Sequence, residues 1–200
     1  MQSSVGTLDL VPRAVEASSS DVERQLVARL RAGELTALGE AYDSHHEQVR
    51  AFARRLLGDA AAAEDLVQET FLSLPGAVLR FREDSSLRTF VISIALNHSR
   101  HHVRAVMRRR AATARMATGT QRVPEPPHAA TDRMHLAHAL TRALDSLPLD
   151  QRVAIILCEV EGRSSAEAAQ IVGTPETTIR TRIFHAKRKL RELLATPEVR

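Results

Sequence analysis

SSAEAAQIVGTPETTIRTRIFHAKRKLRELL, residues 164–194, reads as two helices joined by a tight turn, the second long and basic. Ser164 with Glu167 three residues later has the form of a capping box, so a short helix starts at Ser165 and buries Ala168, Ala169, Ile171 and Val172. Gly173 ends it, because glycine takes the left-handed conformation that closes a helix C-terminus. Thr174-Pro175 restarts the chain as a helix, since Thr caps free amides and Pro at the first helical position loses no hydrogen bond.

At about 100° per residue, Ile179, Ile183, Ala186 and Leu190 fall on one stripe of the second helix. Thr177, Thr181, Phe184, His185 and Arg188 fall opposite, with Arg180 and Arg182 flanking. An apolar edge fixes such a helix to its domain. The outer face presents hydroxyls and Arg to base edges, with cations for phosphates, as a recognition helix in a major groove requires. A solvated basic surface helix has the same composition. The short helix, glycine turn and Thr-Pro start favour DNA binding over it.

The rest of the chain of 200 residues supports an all-α reading: Ala, Leu, Arg and Glu abound, aromatics make up 3%, and no segment alternates with strand period. Net charge is only +4 but segregated. Arg and Lys crowd into 100–122 and 180–191, while 59–69 is acidic without a Lys or Arg, so different faces are expected to meet different partners. The single cysteine, Cys158, permits no internal disulfide and lies in an apolar run, as a small buried hydrophobe would. No apolar run is long enough to span a bilayer and no signal peptide is visible, so a cytoplasmic protein without membrane insertion is expected.

In order, residues 1–19 are expected to be a flexible tail. A helix opens at Ser20 and ends near Gly33, and a longer one runs from Leu35 to Leu57 with Gly58 as its stop. Asp59 caps the next, which turns Leu66, Val67, Thr70, Phe71 and Leu74 inward and Glu64, Asp65, Gln68 and Glu69 outward. Pro75-Gly76 should kink or stop it. Residues 79–85 read as a polar loop, and Ser85 as the cap of a helix packing Leu87, Phe90, Val91, Ile94 and Ala95. Arg88, Asn97, His98, Arg100, His101 and Arg104 line its exposed side: Asn suits an adenine edge, Arg a phosphate, and Phe81 an unstacked base. His98, His101 and His102 have metal-ligand spacing, but the surrounding Arg would repel a cation, so no metal or other cofactor is expected. No catalytic triad, phosphate-binding glycine loop or paired-carboxylate site is present, and no catalysis is expected. From Met107 to Ala130 periodicity is lost and Pro appears, marking an Arg/Pro-rich linker. A four-helix domain then starts at Thr131 or Asp132.

Several stretches together resemble one family, the sigma-70 family of bacterial transcription initiation factors, in its small extracytoplasmic-function (ECF) group. AEDLVQETF at 63–71 is similar to the region 2 segment that docks on the clamp helices of the polymerase β′ subunit. FREDSSLRTFVISIALN at 81–97 resembles the loop and helix that open and read the −10 element, and 144–193 resembles region 4, which reads the −35 element. The resemblance implies two small helical domains joined by a flexible linker: a region 2 unit at 20–106, a linker at 107–130 and a region 4 unit at 131–200. It implies core RNA polymerase (β′ clamp helices, β flap), promoter DNA and an anti-sigma factor as partners in a stress response. By the same resemblance, Glu64, Asp65, Gln68 and Glu69 meet the polymerase. Phe81, Arg82, Asp84, Ser85, Arg88, Asn97, Arg100 and Arg104 meet the −10 element. Thr177, Thr178, Arg180, Thr181, Arg182, His185 and Arg188 meet the −35 element.

The sequence departs from the family pattern where Pro75-Gly76 replace an aromatic and a basic residue, Phe90 a common Trp, Leu96 a frequent Arg, Thr177 a common Gly and His185 a common Arg. A stand-alone helix-turn-helix regulator, for which only 164–194 would matter, and an adaptor that binds no DNA remain the alternatives.

Overall fold

The computed structural model describes residues 11–117 and 140–195, and every regular element among them is helical. The first helix, α1 (Val11–Arg31), starts well before Ser20, so the expected tail shortens. Pro12 sits in its first turn, where a missing amide costs nothing, and Ala and Glu follow as good helix formers. Ser20 lies inside the helix, its carbonyl accepting from Arg24 Nε at 3.3 Å.

Gly33 (φ 79°) turns the chain into α2 (Leu35–Leu57), which buries Val49, Phe52, Ala53, Leu56 and Leu57 and ends at left-handed Gly58 as expected. Asp59 Oδ1 then accepts the Ala62 amide at 2.9 Å and opens α3 (Ala60–Val78). Pro75 does not stop this helix. Leu74 and Val78 are both fully buried on its inner side, and their packing outweighs the one lost backbone bond, while Pro75 and Gly76 face solvent.

The long helix α4 (Leu87–Ala117) is capped by Ser86, whose Oγ accepts the Thr89 amide at 3.2 Å, rather than by Ser85. The Leu87 amide is taken by Glu23 Oε1 of α1 at 2.7 Å. At its far end α4 continues past Val106 into the Arg-rich segment assigned to the linker. Ala, Arg and Met sustain a helix without an apolar stripe. The remainder of that linker, with Leu136, lies outside the described residues.

The C-terminal unit comprises α5 (described over 140–145), α6 (Leu149–Ile155) continued by a π-turn at Ile156–Val160, α7 (Ser165–Val172) and α8 (Glu176–Ala195). The capping box forms as expected, with Ser164 Oγ accepting the Glu167 amide at 3.2 Å and Glu167 Oε2 the Ser164 amide at 2.8 Å. Gly173 is left-handed (φ 68°). On α8, Ile179 and Ala186 are buried and Ile183 and Leu190 half-buried, which is the expected inner stripe. One apolar cluster runs through both units: Phe52, Leu56, Phe71, Leu74, Leu87 and Val91 join Val153, Ile156, Leu157, Ala168, Ile171 and Ile179.

Candidate protein and nucleic-acid interfaces

The outer face of α3 carries the four expected docking residues, but they are not equivalent. Asp65 and Gln68 are exposed. Glu64 is held from α2 by Arg50 Nε at 3.0 Å and Arg54 Nη2 at 3.1 Å, and these bonds, Arg50's first, keep its carboxyl below the usual range. Glu69 is gripped from α4 by His102 Nε2 at 2.7 Å and His98 Nδ1 at 3.0 Å, and the His102 bond is the main reason its carboxyl also lies low. Leu72, which lies off the apolar stripe and was not expected to matter, stands 81% exposed beside them. It closes a shallow depression with Asp65, Gln68, Glu69 and Ser73. The face therefore offers two free polar groups and an apolar knob. Two further carboxylates are already fixed in direction.

The loop 79–86 is fastened from behind. Arg31 at the end of α1 donates to Phe81 O at 2.6 Å and pairs with Glu83, the one non-glycine residue with positive φ (59°) among the described residues. Phe81 does not stand free as an aromatic platform. It is 5% exposed and stacks on Phe90 with ring centroids 4.5 Å apart, because burying both rings removes more apolar surface than either could cover alone. Its ring forms part of the lining of a depression also bounded by Arg82, Asp84 and the half-buried Ser85. Arg88, Asn97, Arg100 and Arg104 are exposed along α4, as expected. One lining residue comes from the other unit: Gln170 of α7. Arg88 likewise lies near Glu167, whose carboxyl is held low first by the Ser164 amide and hydroxyl and then by neighbouring Arg charges.

On α8, Thr177, Arg180, Thr181 and Arg188 are exposed, Thr178 and His185 half-buried, and Phe184 stands 63% exposed among them. Arg180 is braced one turn back by Glu176 at 2.6 Å, and the Thr181 hydroxyl donates to Thr177 O at 2.9 Å. Arg182 departs from the expectation. It is half-buried and turned back onto α6, where Nη2 meets Asp150 Oδ2 at 2.8 Å, because its position borders the inner stripe and a carboxylate is within reach. Arg31, which has no expected role, positions the loop from α1, and Glu23, expected to form a capping box with Ser20, instead positions the start of α4 by accepting the Leu87 amide.

Comparison with known proteins places these surfaces in context. Residues 41–109 match sigma-70 region 2, and residues 137–190 match sigma-70 region 4. The chain is 39% identical over 131 residues to the ECF RNA polymerase sigma factor SigC of Mycobacterium tuberculosis, covering 66% of this chain and 69% of that protein. It is 32% identical over 173 residues to the RNA polymerase sigma factor CarQ of Myxococcus xanthus, covering 86% and 97% respectively. Among solved structures it is similar to the sigma factor RpoE in complex with the anti-sigma factor NepR from Bartonella quintana, at 29% identity and a TM-score of 0.53, over 80% of this chain and 98% of that one.

Proposed function

Since the chain belongs to the sigma-70 family of RNA polymerase sigma factors, in the extracytoplasmic-function group, we propose that it binds core RNA polymerase through the outer face of α3, reads the −10 element with loop 79–86 and α4, and reads the −35 element with α8. It directs promoter recognition and transcription initiation and adds no catalytic group of its own. What carries the assignment of surfaces is the segregation of exposed side chains: Asp65, Gln68 and Leu72 on α3, Arg88, Asn97, Arg100 and Arg104 on α4, and Thr177, Arg180, Thr181 and Arg188 on α8. An acidic rim around an apolar knob suits a basic helical partner, with charge steering the encounter and the leucine supplying buried area. The loop 79–86 is braced by Arg31 before any ligand arrives. That prior order lessens the cost of holding an unstacked base, which is itself a few kcal/mol.

The anti-sigma factor bound to RpoE suggests a regulator of the same kind for this chain, covering the α3 and DNA-facing surfaces. None of the described helices is long and apolar enough to cross a membrane.

Two sets of substitutions separate the surfaces. Asp65→Lys and Leu72→Asp should each weaken binding to core polymerase at least about tenfold and remove promoter-dependent transcripts, since each breaks the centre of a desolvated contact. Arg180→Ala with Arg188→Ala should leave polymerase binding intact while removing dependence on the −35 sequence. Unchanged polymerase binding in both α3 variants, with DNA binding still lost in the arginine pair, would instead favour a stand-alone helix-turn-helix regulator.

A further inference from the structure

His98, His101 and His102 stand out in the sequence, yet none of them is assigned to DNA or to polymerase. Two of the three turn from α4 onto α3, one toward each oxygen of Glu69. His102 Nε2 lies 2.7 Å from Oε2, and His98 Nδ1 lies 3.0 Å from Oε1. The Glu69 side chain is 46% exposed and that of His102 only 13%, so a partner arriving at this face meets the carboxylate and not the ring behind it.

The contacts around His98 report its charge. The Ser73 hydroxyl donates to Thr70 O at 3.0 Å, which leaves its oxygen to accept from His98 Nε2, also at 3.0 Å. A carboxylate oxygen can only accept, so Nδ1 carries a proton as well. An imidazole with protons on both nitrogens is an imidazolium. The neutral ring must give up Glu69 or turn the Ser73 hydroxyl away from Thr70 O, and in either case a cation no longer faces the carboxylate. Glu69 stays ionised meanwhile, because His102 first and His98 after it hold its carboxyl below the usual range. The other charges nearby are engaged or stand apart. Arg50 and Arg54 of α2 are taken by Glu64, Arg109 of α4 pairs with Asp59 at 3.4 Å, and Glu167 of α7 lies at the far end of α4 near Arg88. His101 meets His102 edge-on with centroids 5.8 Å apart, and it is exposed, as are Asp65, Arg100 and Arg104.

We propose that His98 and His102 are positioning residues that set the charge core polymerase meets at Glu69: when neutral they leave the carboxylate to a basic helix, and when protonated they neutralise it and weaken docking. The proposal rests on the sigma-factor reading above and adds regulation of the α3 face by acidity. With both rings neutral, Glu69 and its two partners carry one net negative charge, and with both protonated they carry one net positive charge. Lower pH therefore turns an attraction for a basic partner into a repulsion.

The test is the affinity of the full chain for core polymerase, at fixed salt, at about pH 6 and about pH 8, within the range where histidine ordinarily changes charge. Wild type should bind roughly fivefold to tenfold more weakly at the lower pH, as two charges at an exposed rim allow. His98→Gln with His102→Gln keeps polar side chains beside Glu69 but cannot take up a proton. This pair should bind alike at both pH values and, at the lower one, more tightly than wild type, which misfolding could not produce. His102→Arg makes one cation permanent and should bind more weakly than wild type already at the higher pH. The polymerase titrates identically in every arm, so the comparison isolates the histidines. The same pH step in wild type and in the Gln pair, no step in wild type, or His102→Arg as tight as wild type at the higher pH would each overturn the proposal and leave the sigma reading standing. No binding of wild type at the higher pH would reject that reading and this proposal together.

Discussion

Gly58 is the position where local backbone and long-range contact can be separated by experiment. Its φ of 57° is left-handed, and a Cβ there would sit 2.6 Å from Arg110 Nη2. Gly58→Ala therefore carries two costs. The first is the left-handed conformation itself, about 1–2 kcal/mol for a residue with a side chain. The second arises because the guanidinium must swing aside, losing its bonds to Leu57 O and Gly58 O. Such charge-assisted bonds contribute about 1.5–3 kcal/mol when buried, and about half of that applies to a side chain that is 33% exposed. The sum is about 2–4 kcal/mol. Gly173→Ala supplies the control, since Gly173 has φ 68° and a Cβ added there would meet nothing within 4 Å, so only the first cost applies. At about 2–4 °C per kcal/mol for a chain of this size, Gly58→Ala should lower the melting temperature by roughly 4–16 °C and Gly173→Ala by roughly half as much. Repeating Gly58→Ala in an Arg110→Ala background should remove the excess, leaving the strain alone. Equal losses in the two backgrounds would refute the claim that Arg110 depends on the bare backbone at Gly58.

Asp145→Asn should cost about 3 kcal/mol by chemical denaturation, more than Arg110→Ala, because it leaves Arg152 buried with no opposing charge. Burial already lowers the Arg152 pKa from its usual value against the pull of Asp145. Pro75→Ala should stabilise the protein by about 1–3 kcal/mol, raising its melting temperature, since α3 is already continuous there and regains a bond to Phe71 O. Ser164→Ala should cost about 1 kcal/mol through loss of the cap. The Glu167 carboxyl, held low in the fold, contributes stability above the ordinary carboxylate range and loses it as pH falls through the folded value. Wild type and Glu167→Gln should thus differ in melting temperature at neutral pH and converge as the pH falls below the lowered folded value of Glu167.

Much of the fold was legible because its punctuation is local. Ser164 with Glu167, Asp59, Gly58 and Gly173 each act on neighbours within four residues, and each does in the structure what its type and spacing imply. Expectations failed where the deciding partner is remote. Phe81 looked available for stacking until Phe90 and Arg31 closed around it, and nothing within the loop itself reports either. The end of α4 was misplaced because the apolar stripe fades after Val106, yet helix propensity does not, and Arg110 finds its partners some fifty residues away. Ser85 and Ser86 are equivalent by type, and the amide of Thr89 chooses between them. One signal could have been used: Arg152 directly precedes the run VAIILCEV, and an arginine entering so apolar a stretch needs an anion and carbonyls to meet it. For the candidate interfaces, residue types on outward faces could be read, but not that Glu64, Glu69 and Arg182 are already engaged by neighbours.

The carboxylate of Glu23 gives the N-terminal helix a role in the start of α4 that its place in the sequence does not announce. It takes the first free amide of α4, and the match to region 2 begins only at residue 41. Trimming the protein to its family-matched span would leave that helix start bare and the Arg31 strut missing, so the smallest piece able to keep loop 79–86 and the start of α4 in this arrangement is longer than the piece that similarity alone would outline.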